Sequence, residues 1–192
     1  MSQQKPAHRW SQYPPERARD RQLRRDTAAR LLADYLDRVS LAVRAMGFSV
    51  TDVQLGTGAD LEARIILGAG TGEFAGAPAG AELAWAEDVG WSATHPLLDS
   101  PANPWRYLHL ELVPSPDAVA NFLGALIVDG EQVGMPYPAQ FRHRSQPLQP
   151  VIDALTRHAV TQRPASTPVP RTPETPRAVL AGQLSGTAAD RP

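Results

Sequence analysis

The sequence predicts an α+β domain, with three helices packed on one face of a mostly antiparallel sheet of about five strands. Three observations lead there. Leu32, Tyr35, Leu36, Val39, Val43 and Met46 recur at the spacing of one helical face. Short β-like segments with short links then fill Phe48 to Leu112, whereas parallel pairing would need crossovers of about a dozen residues. From Ser115 onward the apolar period becomes helical again. Helices with one apolar stripe each must cover something, and a sheet with one apolar face needs covering.

The first helix has Gly47 placed as its C-terminal cap. Asp26 is an N-cap candidate, and Pro15-Glu16 offers an earlier start. Arg30, Asp34, Asp37, Arg38 and Arg44 occupy its other faces, as a solvated surface should. Phe48–Leu55 is β-rich but changes phase near Asp52, the mark of a bulge or an irregular start. Leu61, Ala63, Ile65 and Leu67 alternate with Glu62 and Arg64, a half-buried strand.

Residues 81–86 and 90–94 flank Glu87-Asp88-Val89 and read as a hairpin, with Leu83 and Trp85 sharing one face of its first arm. The two turn carboxylates are expected to splay into water. Leu108, Leu110 and Leu112 alternate with Tyr107, His109 and Glu111, the cleanest period-two signal in the chain, and predict a further strand. Ser115-Pro116-Asp117 supplies an N-cap, a proline at the first helical position and an acid in the first turn. Val119, Phe122, Leu123 and Leu126 form that helix's stripe, with Gly130 beyond its end. A stretch interrupted by Pro136, Pro138 and Pro147 leads to a last short helix near residues 150–160, built on Val151, Ile152 and Leu155.

At 192 residues the chain fits one domain of about 100–200 residues with some unpacked sequence. Residues 15–162 are read as that domain. The polar segment 1–14 and the proline-rich segment 163–192 are expected to be disordered, because neither holds enough large apolar groups to offset its ordering entropy. Pro170-Arg171-Thr172-Pro173 has polyproline-motif spacing, yet at this proline density it reads as linker.

A net charge of −1 conceals a strong segregation. Residues 1–30 carry eight basic groups against three carboxylates, residues 31–140 four against fourteen, and residues 141–192 seven against three. The body is acidic and both ends are basic.

The absence of cysteine excludes disulfides, thiolate zinc sites, iron–sulfur clusters and a cysteine nucleophile, and suits a cytoplasmic setting. No apolar run approaches the ~20 residues of a membrane span. The glycine-rich stretch Gly68–Gly72 follows a strand, but no phosphate-binding lysine follows it and Glu73 stands where the dinucleotide pattern has its third glycine. It is read as a hairpin loop. Neither a His-Glu-x-x-His pair nor a Gly-x-Ser-x-Gly elbow is present.

Three constellations remain. Arg17, Arg19, Arg21, Arg24 and Arg25, if helical, would line up against phosphates, while Glu16, Asp20 and Asp26 can pair with them locally. His109 and Glu111 in a strand would share a face, and with His95 they could hold a divalent ion or act as base and orienter. Trp91, Trp105 and Tyr107 fit ordinary core and hairpin packing, and some of them could instead sit on the uncovered face of the sheet, a surface suited to a partner or a second copy.

The segment Leu83-Ala84-Trp85-Ala86-Glu87-Asp88-Val89-Gly90-Trp91-Ser92, then Tyr107-Leu108, then Val113-Pro114-Ser115-Pro116-Asp117-Ala118-Val119-Ala120, resembles a family of uncharacterised small domains of high-GC Gram-positive bacteria. The resemblance covers roughly residues 28–130. It implies a bacterial cytoplasmic accessory domain and carries no activity, cofactor or catalytic residue with it.

The expected function is a non-catalytic cytoplasmic interaction or regulatory module, with self-association through the open sheet face as one form of it and Trp91, Trp105, Tyr107 and His109 as contact residues. Two alternatives stand beside it. One is a nucleic-acid accessory protein using the five arginines from Arg17 to Arg25. The other is a small hydrolase or metal site around His95, His109 and Glu111. A protein partner or homodimer is expected, nucleic acid is not favoured, and no cofactor, metal or membrane is expected.

Overall fold

Helix α1 spans Pro15–Ala45, so the chain turns helical at Pro15 rather than at Asp26. The computed structural model describes residues 15–160, apart from 57, 59, 76, 78, 97 and 99–103; the two expected disordered segments lie outside the described residues. Ala28, Leu32, Tyr35, Leu36, Val39 and Val43 bury the predicted stripe of α1. Gly47 ends the turn with φ 100°, its N–H donating to the Arg44 carbonyl at 2.9 Å. A Cβ there would lie 2.7 Å from the Thr71 carbonyl oxygen, so glycine meets both a backbone and a space requirement.

Five strands follow: β1 (Phe48–Leu55), β2 (Glu62–Gly70), β3 (Glu82–Ala86), β4 (Gly90–Thr94) and β5 (Arg106–Tyr107). They lie side by side in chain order, and every pairing is antiparallel. The phase change in β1 corresponds to two register shifts, between Phe48 and Val50 and between Val50 and Asp52. The glycine-rich stretch closes the β2–β3 hairpin with a single 3-10 turn, Gly72–Phe74.

Helices α2 (Pro116–Asp129) and α3 (Gln149–Val160) complete the fold. The Ser115 hydroxyl accepts the Ala118 N–H at 3.2 Å, and Gly130 at φ 62° returns its N–H to the Leu126 carbonyl, as the capping residues predict. Ile65, Leu67, Leu83, Trp85, Trp91 and Ala93 pack with α1, α2 and α3 in one buried cluster. The opposite face carries Glu62 and Arg64 of β2 and Glu82 of β3, with an Arg64–Glu82 ion pair at 3.2 Å. Among the described residues, no helix is long and apolar enough to cross a membrane.

One predicted strand is corrected. Among the described residues Arg106 and Tyr107 pair with β4, and Leu108 N–H still donates to the Trp91 carbonyl at 2.9 Å, but residues 109–115 run irregularly, with Leu110 63% exposed. Side chains, rather than a β ladder, take up the backbone carbonyls of this segment. Trp85 Nε1 donates to the Leu112 carbonyl at 2.8 Å, His158 Nε2 to that of Val113 at 2.7 Å, and the Tyr35 hydroxyl to that of Pro114 at 2.7 Å. Buried carbonyls need a donor, and a side chain meets that need as well as a strand does.

Candidate basic cleft

A concavity lies where the start of α1 faces the β3–β4 turn and the segment leading into α3. Its volume is about 570 Å³. Asp20, Arg21, Arg24 and Arg25 form one wall, and Asp60, Glu87 and residues 144–148 form the other. The four α1 residues reach one wall because steps of three and four return to the same helical side.

The opposite wall is held by ion pairs. Phe141 N–H donates to the Asp88 carbonyl at 2.9 Å, anchoring the segment across the hairpin turn. Arg142 Nη1 lies 3.1 Å from Glu87 Oε1, and both side chains are almost fully buried. Arg144 gathers three carboxylates: Asp88 at 2.7 Å, Glu62 at 3.4 Å, and Asp60. Its hydrogen bond to Asp88, opposed by burial and reinforced by the Asp88 charge and Asp60, holds its pKa above the usual guanidinium value. Glu87 is the clearest departure from expectation, since the turn carboxylate predicted to face water is buried against an arginine 55 positions later.

On the α1 wall, Arg24 Nη1 donates to the side-chain oxygen of Gln149 at 3.5 Å, a neutral partner. Arg25 makes no hydrogen bond or ion pair among the described residues, while Arg21 does make an interaction. Arg19 is exposed and lines no part of the cleft, and Arg17 lies in the first turn of α1. Of the described side chains of the basic run, Arg21, Arg24 and Arg25 face the cavity and Arg19 does not.

The other candidate residues disperse. Trp91 is corrected from the open face to the core: it is fully buried, and its Nε1 donates to the Tyr35 hydroxyl at 3.0 Å. Register explains this, because the hairpin sets Trp91 directly opposite Trp85 and facing residues of an antiparallel pair share a side. Burial raises the Tyr35 pKa, with the Trp91 hydrogen bond acting against it. Tyr107 pairs with Ser92 on the outer side and is partly exposed; Trp105, just before β5, is partly buried. His109 lies in the irregular segment, its Nε2 bonded to the Tyr137 carbonyl at 2.8 Å.

His95 is buried elsewhere, its pKa lowered by desolvation against an opposing hydrogen bond to the Leu126 backbone. Glu111 is exposed and belongs to no strand, so the shared strand face that would join it to His109 does not exist. Among the described residues, no three of His, Cys, Asp and Glu gather into a group able to hold a metal ion.

Glu87, Arg142 and Arg144 are what the sequence reading missed. The available signal was an acidic pair, Glu87-Asp88, and a basic pair, Arg142-His143-Arg144, with nothing local to join them.

Residues 35–125 match the model of a family of unknown function, DUF6292. The match takes in a little under half of the chain and lies inside the stretch that carried the sequence resemblance. The matched segment runs from mid-α1 through most of α2 and includes Asp60 and Glu87. The arginines that line the cleft, Arg21, Arg24 and Arg25 on one side and Arg144 on the other, lie outside the matched segment, as does Arg142. No curated protein and no solved structure matches the chain.

Proposed function

We propose that the protein is a non-catalytic cytoplasmic interaction module that takes an anionic partner into the cleft between the start of α1 and residues 144–148. One observation carries the reading. Arg24 and Arg25 face the cavity without a carboxylate partner among the described residues, whereas the carboxylates across from them are already matched, Asp60 by Arg144 and Glu87 by Arg142. Two planar guanidinium groups on one wall suit the paired oxygens of a phosphate or carboxylate. The open sheet face supports a partner less well, because Trp91 turns into the core and Glu62, Arg64 and Glu82 occupy much of that surface.

Thermal unfolding of the full-length protein with inorganic pyrophosphate tests the reading, since a ligand that binds only the folded state raises the melting temperature. A saturable, salt-sensitive rise that disappears in the Arg24→Gln/Arg25→Gln double variant is expected. No rise, or an equal rise in the variant, would refute the cleft as the contact. A labelled DNA duplex at low salt serves as the second arm. Tight binding that outcompetes pyrophosphate would favour the nucleic-acid alternative.

A further inference from the structure

The two edges of the sheet differ. At β5, Tyr107 exchanges backbone hydrogen bonds with Met135, at 2.9 Å and 3.1 Å, so a further segment covers that edge. Beyond β1 no strand lies among the described residues. Gly56 N–H donates to the Glu62 carbonyl at 2.7 Å, next to the facing pair Leu55 and Ala63. Antiparallel pairing alternates, so Gln54 and Asp52 also bond toward β2, while the N–H and C=O groups of Val53 and Leu55 point away from the sheet. Residues 51–55 are all exposed, and β1 holds neither proline nor lysine to guard this edge.

We infer that β1 pairs with β1 of a second copy, antiparallel about a twofold axis at Val53, so that two five-stranded sheets become one. The strand fits itself in that register. Val53 lies opposite the partner's Val53, Thr51 opposite the partner's Leu55, and Asp52 opposite the partner's Gln54. Val53 and Leu55 share a side with buried Ile65 and Ala63 yet are 39% and 37% exposed, so pairing carries the apolar side of the sheet across the axis. On the other side, Gln54 Nε2 donates to Asp52 Oδ2 within the strand at 2.8 Å, and the same two groups can exchange that bond between copies. Moving the axis one residue, to Asp52, would set two like charges against each other. A strand of another protein would find the open backbone groups without this match of side chains.

Sedimentation equilibrium of the full-length protein from about 10 µM to about 1 mM tests the inference, a range suited to a small interface. The average mass is expected to rise with concentration toward that of two chains. Val53→Lys and Val53→Glu should each weaken the dimer about tenfold or more, since each sets two like charges face to face. Both leave the ladder to β2 intact, so circular dichroism should not change. An equimolar mixture of the two variants should dimerise again, because lysine then faces glutamate.

A monomer throughout the range would overturn the inference and leave the edge to an extended peptide of another protein. A dimer that Val53→Lys leaves intact would overturn it as well, placing the contact elsewhere on the surface. Two monomeric variants whose mixture also stays monomeric would overturn the axis at Val53.

Discussion

Glu87 and Arg142 meet at 3.1 Å with side chains only 3% and 5% exposed, joining the β3–β4 turn to the segment that leads into α3. Taking two charges out of water is expensive, and their mutual attraction offsets that expense only while both are present. Arg142 also donates to the Gln146 carbonyl, so the same side chain shapes the loop forming the far wall of the cleft.

Removing one partner should therefore destabilise more than removing both. Arg142→Ala or Glu87→Ala is expected to cost about 3–5 kcal/mol in urea unfolding, because a lone buried charge remains. The Glu87→Leu/Arg142→Leu double variant should lose less than either Glu87→Leu or Arg142→Leu alone. Strictly additive losses would show that the pair is not coupled.

Tyr35 binds the core to the irregular segment, accepting from Trp91 at 3.0 Å and donating to the Pro114 carbonyl at 2.7 Å. Tyr35→Phe leaves a buried donor and a buried acceptor unpaired, at about 1–3 kcal/mol for each group so stranded. A pH dependence accompanies it. Because burial raises this phenol's pKa in the folded state, its contribution is whole below about pH 10 and falls as pH climbs further, where the unfolded chain ionises first. Urea midpoints measured from pH 9 to pH 11.5 should drop less steeply in Tyr35→Phe.

His95 behaves in the opposite sense. Burial depresses its pKa below 6.5, so the folded state favours the neutral ring. Its contribution is full above about pH 6.5 and is lost as pH falls through the lowered folded value, since the unfolded chain takes up the proton first. His95→Gln should flatten the acid side of the stability profile between pH 6.5 and pH 5. An unchanged acid slope would refute this assignment.

Leu110 tests the corrected strand. It is exposed where a period-two strand would share one burial state among Leu108, Leu110 and Leu112. Leu110→Ser should change stability by no more than about 0.5 kcal/mol. Leu83→Ala, at a fully buried β3 position, should cost about 2–5 kcal/mol. A large loss at Leu110 would restore the strand reading.

Much of the fold is legible in short windows. The stripe from Leu32 to Val43, the Ser115 cap, the Gly130 stop and the Glu87-Asp88-Val89 turn all act within a few residues of themselves. The side of Trp91 was legible as well, because a three-residue connection fixes the register that sets it opposite Trp85. Leu108 to Leu112 misled because alternation records side chains only, whereas Trp85, His158 and Tyr35 decide where that backbone finds its donors. Of the site, the sequence offered the arginines of α1 and the Glu87-Asp88 turn, but not the Arg142 and Arg144 pairings that hold the facing wall.

Composition and local pattern thus determined the class of fold, the helices, the hairpin and the separation of acidic body from basic ends. Tertiary structure alone decided which charges lose their water. Helical period and capping depend on neighbours a few residues apart, but whether Glu87 is solvated depends on Arg142, far along the chain and brought close only when α3 and its leading segment close over the turn. Desolvation is a property of the assembled surroundings, so the cleft and its buried carboxylate exist only once the chain has folded.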